Sequence, residues 1–313
     1  MSGGGREQRS FTFLVNPSSG GGAAPEAVVP VARRLRDAGA RVEVVYSPGP
    51  RAVREMVASA VARGDVVVSV GGDGMLSSLA GEVAAHDGVL GLLPAGRGND
   101  FARALGVPGD EAGRARTLLE GVERRVDLVA LAHPGADEVR LVAGSVYAGI
   151  DARAAEIVDG LHALPGVLQY PVAAVRAVAT YRPGRFRVTV DGTTREVDAA
   201  MVVVASSPYY GKGMAIAPDA EVDDGLLDVV VVEAASRRRL LRSMPKLYDG
   251  SHVTSEAVTV VRGRRVELAA DGAGGLAVPA GGDGEALGPL PRLGDEPAVV
   301  EVRPGALRVL VPA

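Results

Sequence analysis

Four glycine-bearing stretches hold the residues best suited to phosphate chemistry: Asn16-Pro-Ser-Ser-Gly-Gly-Gly22, Gly71-Gly-Asp-Gly74, Pro94-Ala-Gly-Arg-Gly-Asn-Asp100 and Gly282-Asp-Gly-Glu285. Glycine lets a backbone approach a phosphate closely, and successive N–H groups in such turns form an anion-binding nest. A helix starting just after the turn adds free N–H groups and the positive end of its dipole. An acid between glycines, as at Asp73, suits a metal or a proton better than it suits a plain tight turn. The fourth stretch sets two carboxylates, Asp283 and Glu285, two residues apart. In an extended loop that spacing points both the same way, so one could accept a proton while the other orients it or binds a metal; the bland alternative is a solvated turn. The acidic stretch from Ala217 to Asp228 offers carbonyls and carboxylates to a hard cation, or simply a hairpin turn at Asp224-Gly225. Arg97 is suited to contacting a phosphate, or is a solvated surface arginine.

Other chemistries are excluded. There is no Gly-x-x-x-x-Gly-Lys-Ser/Thr loop, and no Gly-x-Gly-x-x-Gly follows the first strand-like run. The chain has 0 cysteines, so it has no disulfide, thiolate metal site or cysteine nucleophile. His86, His133, His162 and His252 are scattered, without the spacing of a zinc site. A net charge of −4 and a pI near 5.7 argue against a nucleic-acid partner. No apolar run reaches the roughly 18 residues of a spanning helix. Met1–Ser10 lacks the apolar core of a signal peptide, so a cytoplasmic protein is expected.

The elements that must position these loops follow from periodicity. Strand-like runs at Phe11–Val15, Arg41–Tyr46, Asp65–Val70 and Val89–Leu93 alternate with helical stretches at Pro25–Ala38, Pro50–Arg63, Met75–Ala85, Asp100–Leu105 and Glu111–Glu120. Strand–helix alternation implies a parallel sheet covered on both faces. The first three loops would then lie at the carboxyl ends of strands, where open α/β sheets bind ligands. Beyond Asp127 the strand signals crowd together: Leu141–Val146, Arg185–Asp191, Ala199–Ala205, Leu227–Glu233, Ala257–Val261, Arg264–Ala269, Ala298–Val302 and Ala306–Val311. Helical segments at Asp151–Thr180, broken near Pro165, and at Arg237–Tyr248 interrupt them, and 271–297 is expected to be largely loop. The reading is an α/β domain over 11–128 and a mainly antiparallel, β-sandwich-like domain over 129–313, with the last strand or tail free to pack back on the first.

Taken in order, these motifs resemble the diacylglycerol kinase catalytic family, which includes bacterial lipid kinases and is related to sphingosine and ceramide kinases. The resemblance runs over about residues 11–311. Its signposts are Asn16-Pro-Ser-Ser-Gly20, Gly71-Gly-Asp-Gly74, Pro94-x-Gly-x-x-Asn-Asp-Phe-Ala-Arg103, Tyr147-Ala-Gly-Ile-Asp151, Pro208-Tyr-Tyr-Gly-Lys-Gly-Met214, Asp223-Asp-Gly-Leu-Leu-Asp228 and Asp283-Gly-Glu285. Gly-Gly-Asp-Gly alone also occurs in NAD kinases and phosphofructokinases; the Asn-Asp-Phe-Ala-Arg and Asp-Asp-Gly-Leu-Leu-Asp blocks separate this family from both.

The resemblance implies an NAD kinase/diacylglycerol kinase-like α/β domain that binds ATP, with catalysis in the cleft beside the second domain. It assigns the nucleotide to Asn16, Pro17, Ser18, Ser19, Gly20, Ser47, Gly71, Gly72, Asp73, Gly74, Met75, Ser77, Arg97, Asn99 and Asp100, with Asp73 acting through Mg²⁺. It makes Glu285 the first choice of proton acceptor and Asp283 the second, and places a structural Mg²⁺ on Asp224 and the carbonyls of Glu221 and Leu226. Three positions depart from the family pattern: Met75 and Arg97 stand where threonine is usual, and Ser47 where threonine is common. The implied activity is ATP-dependent phosphorylation of a lipid hydroxyl, with diacylglycerol to phosphatidic acid as the first expectation. The alternatives are a kinase of a soluble hydroxylated metabolite and a non-catalytic nucleotide- or lipid-binding regulator. The implied partners are ATP and a lipid at a membrane surface, met by a protein peripheral to the inner face; a homodimer is compatible with this. Arg237–Tyr248 is basic and amphipathic enough to lie on anionic lipid, or else covers the β domain. Tyr209, Tyr210 and Met214 are placed at the cleft mouth.

Overall fold

Short runs dominated by valine and leucine, each followed by a turn and a helical repeat, build the first half of the chain. The computed structural model describes residues 9–17, 22–46, 50–136, 138–161 and 166–313. In order these first elements are β1 (Ser10–Val15), α1 (Ala23–Asp37), β2 (Arg41–Tyr46), α2 (Pro50–Ala62), β3 (Val66–Gly71), α3 (Asp73–Ala85), β4 (Val89–Pro94), α4 (Asp100–Ala104) and α5 (Glu111–Glu120). The strands pair in parallel in the order β4-β3-β1-β2. Phe11, Phe13 and Val15 of β1 and Val66, Val68 and Val70 of β3 share a core with Val31 and Leu35 of α1 and Leu118 of α5. The alternate residues Leu14 and Val67, and Leu79 and Val83 of α3, are fully buried as well. A strand side chain alternates faces, so this sheet is covered on both, as its continuous apolar runs imply.

The second half contains β5 (Val122–Ala132), β6 (Arg140–Val142), β7 (Ser145–Gly149), α6 (Ile150–Asp159), α7 (Gly166–Thr180), β8 (Gly184–Val190), β9 (Thr193–Ala205) and β10 (Leu227–Glu233). There follow α8 (Arg237–Ser243), α9 (Lys246–Asp249), β11 (Val258–Gly263), β12 (Arg265–Asp271), β13 (Pro279–Gly282), β14 (Glu285–Pro289) and β15 (Ala298–Val311). The chain forms two compact units, the first ending at Val126 and including Gly305–Ala313, the second Asp127–Pro304. It leaves the first unit within β5 and returns within β15, whose last residues pair in parallel with β4.

Pairing in the second unit is antiparallel, with β9 joined to β8, β7 and β10. Period-2 burial shows plainly on β8, where Phe186, Val188 and Val190 are buried and Arg185 is exposed. On β9, Val202 and Val204 enter one core cluster while Met201, Val203 and Ala205 enter another. This strand is therefore covered on both sides, although it belongs to an antiparallel sheet.

One expectation is extended and three are corrected. Residues 271–297 are mostly loop and turn, as expected, but they also carry a hairpin that was not expected, in which β13 pairs with β14 and with β7. Glycine and proline weaken strand propensity, but pairing in the folded sheet overrides it. The strand expected over Leu141–Val146 is split into β6 and β7, with the break at Ala143-Gly144. Strand β5 has no counterpart in the sequence reading, since its first half, Val-Glu-Arg-Arg, is exposed and hides the buried run that follows. The two strands expected over 298–311 are one, β15.

Candidate active site

The phosphate-side loops are fixed by their backbones. Val70 and Gly71, at the end of β3, accept from the N–H groups of Asn16 (3.2 Å) and Ala95 (2.9 Å), which ties the loop ends of β1 and β4 to that of β3. Gly96 lies on the Gly71–Gly74 turn so tightly that a Cβ there would stand 2.3 Å from Gly72 Cα, a contact only glycine allows. Asn99 takes a left-handed conformation (φ 56°). Its Oδ1 accepts from Gly96 N–H and its Nδ2 donates to Gly96 O, both at 2.9 Å, so the loop is clamped to itself.

Two acids converge inside this arrangement. Asp73 opens α3 and its Oδ1 accepts from Phe101 N–H at 3.3 Å, in the first turn of α4. Asp100 opens α4 and is buried, with Arg103 at 4.0 Å. Both carboxylates flank Gly98: a Cβ on that residue would be 2.8 Å from Asp73 Oδ2 and 3.1 Å from Asp100 Oδ2. Paired carboxylates beside a helix N-terminus suit a Mg²⁺ that arrives with phosphate oxygens, since Mg²⁺ keeps few protein ligands. Ser77 is buried on α3, Met75 is partly exposed and Arg97 is exposed. Ser18, Ser19, Gly20 and Ser47 lie outside the described residues; Asn16 and Pro17 lie just beyond β1.

In the second unit the acidic loop is a hairpin turn. Asp283 (φ 47°) and Gly284 (φ 87°) join the paired residues Gly282 and Glu285, and two positive φ values in a two-residue loop make a type I′ turn. The expectation that Asp283 and Glu285 point the same way is therefore corrected, because the chain reverses between them. The Asp283 carboxylate turns back to accept from the buried N–H groups of Ala143 (2.7 Å), Gly144 (3.0 and 3.2 Å) and Ser145 (3.0 Å). The carboxylate thereby holds the Ala143-Gly144 break between β6 and β7 and the first residue of β7. Glu285 stands exposed at the start of β14.

The loop proposed for a structural cation is neutralised by the chain itself. Asp224 Oδ1 accepts from Leu226 N–H at 2.9 Å, and its Oδ2 is ion-paired with Arg262. Arg262 also lies 3.4 Å from Asp228, whose carboxyl is pushed up by burial against the opposing pull of Arg262. The buried Asp127 holds the same turn by accepting from Gly225 N–H at 2.7 Å. These residues do not fit a resident cation on Asp224, Glu221 and Leu226, because a guanidinium already occupies the carboxylate that would bind it.

One chemically loaded pair was not connected by sequence reasoning. Asp151, in the first turn of α6, accepts from Tyr210 O–H at 2.9 Å, and burial pushes its carboxyl up to about 6 against that hydrogen bond. The Tyr210 ring lies 6.0 Å from that of Tyr147. The motifs around all three were visible in the sequence, but no spacing links residue 210 to the Tyr147–Asp151 motif. Of the residues expected at a cleft mouth, Tyr210 is buried, while Tyr209 and Met214 are partly exposed.

Comparison with known proteins places the chain. Residues 10–131 match the family described as diacylglycerol kinase catalytic domain, and residues 144–311 the YegS C-terminal NAD kinase beta sandwich-like domain. A diacylglycerol kinase of Mycobacterium tuberculosis is 33% identical over 305 residues, covering 96% of this chain and 94% of its own. A Chromohalobacter salexigens protein named "Probable lipid kinase YegS-like" is 31% identical over 225 residues, covering 69% of this chain and 68% of its own. The crystal structure of a diacylglycerol kinase from Bacillus anthracis shares the fold, with a TM-score of 0.70 at 18% identity and 98% coverage of both chains. Matched in both halves and aligned to a relative over nearly its full length, the chain belongs to the diacylglycerol kinase catalytic family, phosphotransferases that act on an alcohol group.

Proposed function

We propose that the protein is an ATP-dependent lipid kinase that phosphorylates diacylglycerol to phosphatidic acid at a membrane surface. The observation that carries a lipid acceptor is a cavity of about 810 Å³ wholly within the second unit. Ile150, Ala177, Phe186, Leu276 and Val278 are among its lining, and Arg153 and Glu156 are the acid–base pair at its wall. Cavities of this size lined mainly by apolar side chains suit acyl chains better than a small polar alcohol.

Phosphoryl transfer needs positioning and charge neutralisation more than covalent chemistry by the protein. The Gly71–Gly74 turn and the start of α3 present N–H groups to the phosphates. Asp73 and Asp100 would hold the Mg²⁺ that accompanies ATP, which supplies charge neutralisation on the phosphate oxygens when bound. The acceptor hydroxyl attacks the γ-phosphorus, the bond to the ADP oxygen breaks, and the hydroxyl proton passes to a carboxylate. Glu285 is exposed and fits that role. Asp283 is committed to the 143–145 amides and acts instead as the anchor of the hairpin that carries Glu285.

The test is a radiolabelled ATP assay against diacylglycerols, other lipid alcohols and soluble polyols. Label in phosphatidic acid is the expected result. Label in a soluble polyol alone, or in nothing, overturns the proposal.

A further inference from the structure

Helix α7 carries one charged residue, Arg176, among fifteen. Its inner face is buried through Gln169, Ala173, Ala177 and Val178, and Ala177 also lines the cavity. Its outer face is also apolar and yet exposed: Leu168 is 49%, Val172 39% and Val175 56% accessible. These residues recur at i, i+4 and i+7 and so form one stripe. A helix apolar on both faces is normally covered on both.

What lies beside the stripe indicates the covering. Helix α8 packs across the end of α7, with Leu240, Val178 and Tyr181 in one buried cluster and Arg237 donating to Tyr181 O at 3.3 Å. Outwardly α8 and α9 present Arg238, Arg239, Arg242 and Lys246, with Leu241 and Tyr248 exposed among them. Residues 166–182 and 236–250 together hold seven basic side chains and one acid, Asp249, in a chain of net charge −4. Elsewhere in this unit several strand arginines are paired, Arg187 with Glu196, Arg195 with Glu233 and Arg265 with Glu301. Arg238, Arg239 and Arg242 have no ion-pair partner among the described residues.

We infer that the outer stripe of α7 and the basic surface of α8 and α9 form a docking face for an anionic lipid bilayer. Apolar side chains in one row enter the acyl boundary while neighbouring arginines meet the headgroup phosphates, which is how interfacial helices bind. Charge complementarity selects this occupant over a second copy of the chain, since two such faces would repel. The inference deepens the lipid-kinase reading and rests on it for the purpose of docking: the helix that touches the bilayer also walls the cavity.

The test is flotation of the full chain with phosphatidylcholine vesicles, with and without phosphatidylglycerol, alongside turnover on a monomeric short-chain diacylglycerol. The expected result is binding only to phosphatidylglycerol vesicles, weakened by salt. Arg238→Glu with Arg242→Glu, and separately Val172→Ser with Val175→Ser, should each lower binding on the order of tenfold. Melting temperature and short-chain turnover should be unchanged. Binding that follows this pattern without turnover on any diacylglycerol would sink the kinase reading and leave the docking face standing. Equal flotation of the variants, no flotation of the parent, or a dimer dissolved by Val172→Ser with Val175→Ser would overturn the docking face.

Discussion

The two acidic loops of this enzyme are built in opposite ways. In the first unit the backbone does the positioning: Gly96 packs on Gly72, Asn99 clamps Gly96, and Asp73 and Asp100 project from the helix starts that result. In the second unit a side chain positions the backbone, as Asp283 gathers three amides about 140 residues away in sequence and so fixes the hairpin that presents Glu285. Acids of the same type, each beside glycines, are therefore held by the backbone in one place and hold the backbone in the other.

The sharpest way to break that contrast is to remove charge without changing shape. Asp73→Asn and Glu285→Gln should each lower turnover by roughly a hundredfold or more. Their melting temperatures should stay within a degree or two of the parent, and Glu285→Gln should leave ATP affinity unchanged. Full turnover in either variant at saturating Mg-ATP would remove that residue from the chemistry.

Asp283→Ala should act on stability first. It strands buried N–H groups at a cost of about 1–3 kcal/mol each, so the melting temperature should fall by roughly 10 °C. ATP affinity should survive in whatever fraction remains folded. An unchanged melting temperature would mean that Asp283 is not the anchor described here. In the first unit the matching change is Gly96→Ala, which forces the loops apart; ATP affinity should drop on the order of tenfold with a smaller loss of stability.

The smallest effect belongs to Asp151. Its carboxyl sits at about 6 in the folded protein, above the ordinary aspartate value near 4. The folded state therefore keeps a proton that the unfolded chain has already released. The cost of ionising it grows from about pH 4 to pH 6 and is complete above that. Asp151→Asn keeps an acceptor for Tyr210 and should raise the melting temperature by a few degrees at pH 8 and hardly at all at pH 4. Equal shifts at the two pH values would place Asp151 in a polar, hydrated setting.

The contrast also explains what could be read from the chain. In the first unit each functional loop directly follows its strand and precedes its helix, so position, strand polarity and chemistry all lie within about ten residues. In the second unit Asp283, Asp224 and Asp151 reach residues 143–145, 262 and 210, which no local spacing connects to them. The extended-loop argument for Asp283 and Glu285 failed because Asp-Gly at 283–284 is itself a turn signal. The hairpin around it went unread because its strands, Pro-Ala-Gly-Gly and Glu-Ala-Leu-Gly-Pro, draw their order from pairing rather than propensity.

Arg262 carries a consequence for how the protein responds to its surroundings. A dissociable ion stabilises a fold only in proportion to its free concentration, by mass action. A guanidinium tethered to the chain is always present, keeps its charge across the physiological range, and cannot be drawn off by a chelator. The charge balance of the Asp224 turn, set by Arg262 against Asp224 and Asp228, thus travels with the chain and does not have to be recruited from solution.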